Sequence, residues 1–307
     1  MQKFSKKNIQ QHFNKAATSY DEAAVLQKEV ALRVAERLEL TTLKPNTILD
    51  MGAGTGLLTE KIIKQYPNSK IIAMDLSSQM LDFAKEKLTD RSVLTKLLAF
   101  VKAPQTTFVC ADANRIPLAS HSVDLITCNL MLQWCDDLDA VLSEFKRVIR
   151  PEGLLMLTSF GPDTLKELRK SWQAVDDKQH VNMFIDMHDM GDALVRNGFG
   201  QPVMDTEIYT LTYQKPIGVL KDLKAIGATN ATASRDVGLM GKQKFNSMLK
   251  EYEKFRTKEL IPATFEVIHG HAWSAQEVMK GPNRNKSGVY EISLDDLGTI
   301  KKKTKQR

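Results

Sequence analysis

Little in this chain of 307 residues is equipped for crosslinking or metal chemistry. Three cysteines, Cys110, Cys128 and Cys135, show no CxxC spacing. That excludes a disulfide scaffold and a thiolate zinc site, and it points to buried, reduced thiols in a reducing compartment. No Ser-His-Asp constellation or metal-ligand cluster is evident, so no metal is expected. No run approaches the ~18 apolar residues of a membrane span, and the start MQKFSKKNIQQHF is too polar for a secretory signal. A cytoplasmic protein that spans no membrane is the expectation. The body also lacks a strong charge of one sign. The last seven residues hold five positive charges and no acid, and residues 274–300 hold three basic against four acidic side chains. Residues 1–273 therefore carry only +2 of the net +6, which argues against a nucleic-acid partner and leaves the basic end as a solvated tail.

What remains is ordinary globular material, 42% hydrophobic and 26% charged, enough for one large domain or two small ones. Residues 8–40 read as helical, with Ile9, Phe13, Ala16 and Ala17 on one stripe, a break near Thr18–Tyr20, then Val25, Leu26, Val30, Val34 and Leu38. Strand-like runs follow at Thr47–Met51, Lys70–Met74, Thr106–Cys110, Val123–Cys128 and Leu154–Ser159. Helical patterns separate them at Gly56–Gln65, Ser78–Leu88 and Asp136–Val148. Such alternation predicts an α/β fold, a parallel sheet with helices on both faces. Further helices are expected over Pro162–Val175, Asp186–Asn197, Ile217–Gly227 and Lys242–Phe255, and two late strands over Asp205–Tyr213 and Ala263–Gly270.

The first strand runs into "ILDMGAGTGLLTEKI". Glycine after a strand lets the backbone turn sharply and approach a ligand. A dinucleotide fingerprint wants GxGxxG, but here Gly52, Gly54 and Gly56 are followed by Leu57. Asp50 at the strand end would repel a pyrophosphate and attract a cation. The second strand ends at Asp75, about 20 residues on, where a carboxylate suits two ribose hydroxyls; Leu76 follows it. The third leads to Asp112 and Ala113, placing an acceptor for an adenine amino group. The fourth ends at Asn129. Acid and amide groups at successive strand ends converge on the crevice where open α/β sheets bind ligands.

This order resembles the class I S-adenosylmethionine-dependent methyltransferases over roughly residues 45–160, with a Rossmann-like seven-stranded sheet and S-adenosyl-L-methionine as cofactor. Four further stretches, "FNKAATSYDEAAVLQKEVA", "NLMLQWCDDL", "SWQAVDD" and "LKAIGATNA", together resemble the malonyl-acyl-carrier-protein O-methyltransferase (BioC) family of biotin synthesis. That resemblance implies methyl transfer to the free carboxyl of a malonyl group on acyl carrier protein, or on coenzyme A. It implies an active-site tyrosine at Tyr20 and places Gln133 and Trp134 beside the cofactor. Gln27, one or two helical turns past Tyr20, lies within reach of the cofactor's amino-acid end.

The chemistry agrees with the residues. A carboxylate is ionised near neutral pH and needs no general base, only proximity and orientation. Residues 215–260 hold ten basic and five acidic side chains, a basic cap suited to an acidic carrier protein. Lys224 is the first candidate for pairing with the substrate carboxylate or the phosphopantetheine phosphate, and Arg235 the second. The organisation expected is a methyltransferase domain over 1–273, with a helical segment 1–44, a core 45–213, a helical cap 214–261 and a last strand 262–273, then a disordered basic tail 274–307. Two competing readings are a methyltransferase for another small acid or a protein arginine, and a cofactor-binding assembly factor without turnover.

Overall fold

The computed structural model describes residues 4–89, 105–229 and 241–275; Arg235, nearly all of the 90–105 connection and the basic tail lie outside them. The compact unit Met1–Ser274 holds every element described. Helices α1 (Lys6–Ala16), α2 (Tyr20–Ala23) and α3 (Val25–Glu39) lead into β1 (Thr47–Met51), α4 (Leu57–Gln65), β2 (Lys70–Asp75), α5 (Ser78–Thr89), β3 (Thr106–Cys110) and β4 (Val123–Cys128). A 3-10 turn (Leu132–Trp134) precedes α6 (Leu138–Val148), β5 (Ile149–Phe160), α7 (Lys166–Gln173) and α8 (Met187–Arg196). Then come β6 (Phe199–Tyr213), α9 (Pro216–Ala225), α10 (Lys242–Glu253) and β7 (Ile261–Ser274).

The strands form one sheet in the order β3-β2-β1-β4-β5-β7-β6. The first five are parallel, and β7 inserts antiparallel between β5 and β6. The central strands TILDM and VDLITC are apolar on both faces because helices cover both. Leu49 packs with Phe145 of α6 and Met190 and Leu194 of α8. Its neighbour Ile48 points the other way, to Val34 and Leu38 of α3 and Ile62 of α4. Helix α6 shows why such a segment folds: Val141, Leu142, Phe145 and Val148 make one buried stripe, and the Asp137 side chain caps it by accepting from the Ala140 amide at 2.9 Å.

Several boundaries differ from the sequence reading. Strand β6 begins six residues early, at Phe199, through a segment containing Gly200 and Pro202 that reads as a loop. A register shift between Gly200 and Val203 absorbs these residues while β7 supplies the pairing. Strand β5 likewise starts at Ile149, before Pro151, with a shift between Val123 and Leu125. Helix α7 begins at Lys166, because Leu165 before it adopts a left-handed conformation (φ 54°). The thiols also differ: Cys128 is buried, but Cys110 is exposed on the edge strand β3.

Between β6 and β7, α9 and α10 form a cap on α7. Leu168, Trp172, Val219, Met248, Tyr252 and Phe265 make its core, and the Tyr252 hydroxyl donates to the Pro262 carbonyl at 3.0 Å. The cap joins the first helices. Ser19 Oγ donates to the Ala225 carbonyl at 2.9 Å, and Thr229 Oγ1 lies 2.8 Å from His12 Nδ1. Chain segments some 200 residues apart thus share one roof over the strand ends. No helix among the described residues is long and apolar enough to cross a membrane.

Phe145 is fully buried between α6 and the sheet. Phe145→Ala should lower unfolding free energy by about 3–5 kcal/mol, the usual cost of emptying a buried aromatic site, read from urea denaturation. A loss below about 1 kcal/mol would mean that α6 does not anchor this face.

Candidate active site

The glycine turn between β1 and α4 lies at the reversal of strand order, where β1 sits between β2 and β4. Its amides are already occupied. Gly52 and Ala53 both donate to the Met74 carbonyl (2.8 and 3.0 Å), and Gly56 donates to the Ala53 carbonyl at 2.9 Å. Gly54 donates to Asp75 Oδ2 at 2.9 Å. These four N–H groups are therefore not offered to a phosphate. All three glycines have positive φ, but for different purposes. A Cβ on Gly52 would lie 2.6 Å from Met131, whereas one on Gly54 would meet nothing within 4 Å and would project into open space.

That space is a cavity of about 790 Å³, mouth included, whose wall contains Tyr20, Gly52, Gly54, Asp75, Leu76, Asp112, Ala113 and Asn129. Ile9, Phe13, Met80 and Met131 supply apolar wall. The Asp75 carboxylate accepts from the amides of Gly54 and Ser77 (2.9 and 2.8 Å). Burial raises its pKa against those hydrogen bonds, and a nearby positive charge would favour its ionised form. Asn129 is fixed by Thr158, whose hydroxyl donates to its Oδ1 at 2.7 Å and accepts from the Leu130 amide at 2.9 Å. Helix α1 closes the cavity. Lys6 pairs with Asp112 at 2.5 Å, and Gln10 donates to the Leu76 carbonyl at 2.8 Å.

Four expected cofactor residues stand elsewhere. Asp50 is buried beneath the turn, where its carboxylate accepts from Thr59 (2.6 Å) and Thr127 (2.9 Å); it acts on the cavity only through its field. Gly56 borders α5, and a Cβ there would lie 2.9 Å from Leu88 Cδ1, so its small size serves helix packing. Gln27 and Gln133 face a second cavity, and Gln133 donates to the Leu130 carbonyl at 2.6 Å.

The second cavity, about 770 Å³ with its mouth, lies under the cap and shares Phe13, Tyr20, Leu130 and Trp134 with the first. Leu130 adopts φ 50°, a conformation costly for a leucine, and this residue stands between the two spaces. Tyr20 is held there by its neighbour: Asp21 accepts from Thr55 of the glycine turn at 2.5 Å and from Lys87 of α5 at 3.0 Å. Burial raises the Tyr20 pKa further above its ordinary value, with Asp75 and Asp21 adding to the effect. Its hydroxyl is a donor, not a base. Burial also pushes the Cys135 thiol up to about 12.

Leu165, Leu168, Phe160, Phe184 and Phe265 give the second cavity an apolar lining, with Thr164, His180, Asn182 and Thr229 as polar points. Among the described residues no lysine or arginine lines it. Lys224 does not reach it: the side chain is exposed on α9, while Leu223 and Ile226 face inward. At one end His180 stacks on Trp172, centroids 3.8 Å apart and planes 13° apart. Its Nε2 lies 2.7 Å from Asp176, which also accepts from Lys244 at 3.1 Å. Desolvation alone would raise Asp176, but these hydrogen bonds hold it down at about 2.

Sequence reasoning missed Phe13, Leu130 and His180 as cavity residues. Phe13 lay on a stripe that reads as core, and nothing in "NLML" announces a left-handed leucine.

Residues 49–157 match the methyltransferase domain family. The fold is shared with the YcgJ protein of Bacillus subtilis (TM-score 0.53, 13% identity, 80% of this chain and 99% of that one) and a putative methyltransferase of Bacillus halodurans (0.53, 16%, 79% and 99%). Sheet, glycine turn and acidic cavity thus define a class I methyltransferase that uses S-adenosylmethionine. Similarity along the chain is far more specific. A malonyl-[acyl-carrier protein] O-methyltransferase of Gallionella capsiferriformans is 46% identical over 94% of this chain and 95% of its own length. That of Laribacter hongkongensis is 48% identical over 87% and 89%. The chain belongs to the malonyl-[acyl-carrier protein] O-methyltransferase family.

Burial pushes the Asp50 carboxyl up to about 6, against hydrogen bonds from Thr59 and Thr127. Unfolded, it titrates near 4. Between these values the folded protein keeps a proton that the unfolded chain releases, so this group's contribution to stability falls as pH rises. Asp50→Asn should remove that dependence. The difference between wild type and variant in urea should change by about 2 kcal/mol from pH 4.5 to 7, in the direction that wild type weakens. A constant difference would place the native pKa near the unfolded one.

Proposed function

We propose that the cavity beside the glycine turn holds S-adenosylmethionine and that the cavity under the cap holds the malonyl group of a malonyl thioester, whose free carboxylate receives the methyl group, an early step of biotin biosynthesis. The observation that carries this assignment is the shared wall of Phe13, Tyr20, Leu130 and Trp134, across which two ligands meet. When bound, S-adenosylmethionine supplies an electrophilic methyl group on a positively charged sulfur. Asp75 accepts from the ribose hydroxyls with the lone pairs its two amide donors leave free. Asp112 and Asn129 take the adenine amino group and the amino-acid end. Gly54 gives the close approach, and Leu76 and Ala113 form apolar walls for the base. Asp50 adds negative potential beneath the turn, favouring a cation over a pyrophosphate.

The acceptor side needs little chemistry from the chain. Its nucleophile is already ionised, and no group on the shared wall is tuned to remove a proton. The wall orients the two reactants and keeps water out, which is where such a reaction gains its rate. Tyr20, held by Asp21, donates its hydroxyl across the junction. Lys224 belongs to the outer face. With Lys221 on α9 and Lys242 and Lys250 on α10, it offers positive charge to an acidic carrier.

The decisive assay sets labelled S-adenosylmethionine against malonyl-carrier protein, malonyl-CoA and free malonate. Methylation of the thioesters and not of malonate supports the reading; preference for malonate overturns it.

Tyr20→Phe keeps the ring that seals the junction and removes one hydrogen bond. Turnover should fall about 3- to 10-fold, the scale of a neutral hydrogen bond, with unchanged thermal stability. Normal turnover would reduce Tyr20 to a packing residue.

Reversing charge with Lys221→Glu and Lys224→Glu should raise KM for malonyl-carrier protein and spare both malonyl-CoA and cofactor affinity. Exposed charges are screened over about 8–10 Å at ordinary salt, so the wild-type preference for the carrier should shrink with ionic strength and the variant should respond less. Equal KM values would place the carrier on another face.

A further inference from the structure

The carboxylate is what distinguishes a malonyl from an acetyl thioester, and it enters a cavity whose described wall contains no lysine or arginine. Some group there must replace the water it loses, since an unpaired buried carboxylate is costly. Among the described residues of that wall, His180 is the one titratable cation-former. Its side chain is only 16% exposed, and Nε2 is engaged with Asp176. The other ring nitrogen, Nδ1, has no partner among the described residues.

We propose that His180 receives the acceptor's carboxylate through Nδ1 and thereby selects malonyl over uncharged acyl thioesters; this rests on reading the cavity under the cap as the acceptor site. Asp176 takes the proton on Nε2, so Nδ1 can donate only when the ring is the imidazolium. Asp176 supplies the opposite charge, the face of Trp172 lies parallel to the ring at 3.8 Å, and the incoming carboxylate adds a second negative partner. Lys244, 3.1 Å from Asp176, keeps that acid from repelling the substrate. The group of His180, Asp176 and Lys244 then carries one net positive charge, and the malonyl carboxylate neutralises it. One carboxylate oxygen is held. The other forms the new bond to the methyl carbon as the methyl–sulfur bond breaks and its electron pair stays on sulfur, and no proton is transferred.

The same arrangement explains a division of labour in the fold. The loop after α7 is tied to α10 through Asp176 and Lys244, so the specificity group and the basic outer face are parts of one cap. Arg169 on α7 does not line this cavity; its two terminal nitrogens donate to the carbonyls of Pro162 and Thr164 (2.8 and 3.0 Å).

The test compares the full-length wild type with His180→Gln and Asp176→Asn, using malonyl-CoA as acceptor and acetyl-CoA as a competitor lacking the carboxylate. In His180→Gln, KM for malonyl-CoA should rise about 10- to 100-fold, the range for a hydrogen bond to a charged group. Inhibition by acetyl-CoA should stay within about twofold of wild type, and so should the Kd for S-adenosylmethionine by calorimetry. Asp176→Asn keeps the imidazole but removes the carboxylate that holds Nε2, so KM should move in the same direction. A merely structural histidine would weaken malonyl-CoA and acetyl-CoA alike. Equal weakening, or an unchanged KM in His180→Gln, overturns the proposal while the function stands. If His180→Gln proves unfolded, an unchanged KM in Asp176→Asn overturns it. A wild type that methylates no malonyl thioester overturns both the proposal and the reading beneath it.

Discussion

The end of β2 governs the site. The Met74 carbonyl takes the amides of Gly52 and Ala53, and the Asp75 carboxylate takes the amide of Gly54. Without these bonds three successive N–H groups at the mouth of a helix would form an anion-binding concavity. With them, the turn is closed to phosphate and the surplus charge is negative. The same contacts pin β1 to β2 in register and hold Gly54 against the open cavity. Ligand choice and local fold thus rest on one set of bonds.

The negative charge has a cost that the ligand offsets. Asp50 and Asp75 are both shifted upward by burial, an environment that disfavours their ionised form. A cationic ligand reverses that preference. A sulfonium-bearing cofactor held there as proposed suits this pocket electrostatically, and its binding is then linked to the ionisation of these acids.

The cavity under the cap follows a different principle. Its walls come from segments remote in sequence: α1 and α2, the residues after β4, α7 with its following loop, and α9. The roof is joined by Ser19 to Ala225 and by His12 to Thr229. The lining is mostly apolar, with one polar cluster at the far end. The apolar sheet and helices supply the rigid frame on which such loops can be held.

Much of this was legible in the amino-acid order. The five parallel strands follow from short apolar runs alternating with helical stripes, a pattern that only a two-faced sheet can bury. Asp75, Asp112 and Asn129 were readable because strand ends in such sheets point at one crevice. The late strands were only partly legible, since Gly200 and Pro202 obscure a pairing that β7 imposes from outside. Asp50 and Gly56 looked like ligand contacts because sequence shows spacing and not direction; Thr59 and Thr127 turn the one inward, and Leu88 occupies the space beside the other. Lys224 was chosen by charge, but the helix directs its neighbours Leu223 and Ile226 inward and leaves the lysine in water. His180 carries no motif at all. The sequence by itself determined the sheet, the glycine turn and the acids at the strand ends, because local periodicity and strand direction fix them. Only the tertiary structure decided which side chains face the second cavity, because its wall is assembled from segments whose proximity depends on packing across the whole chain.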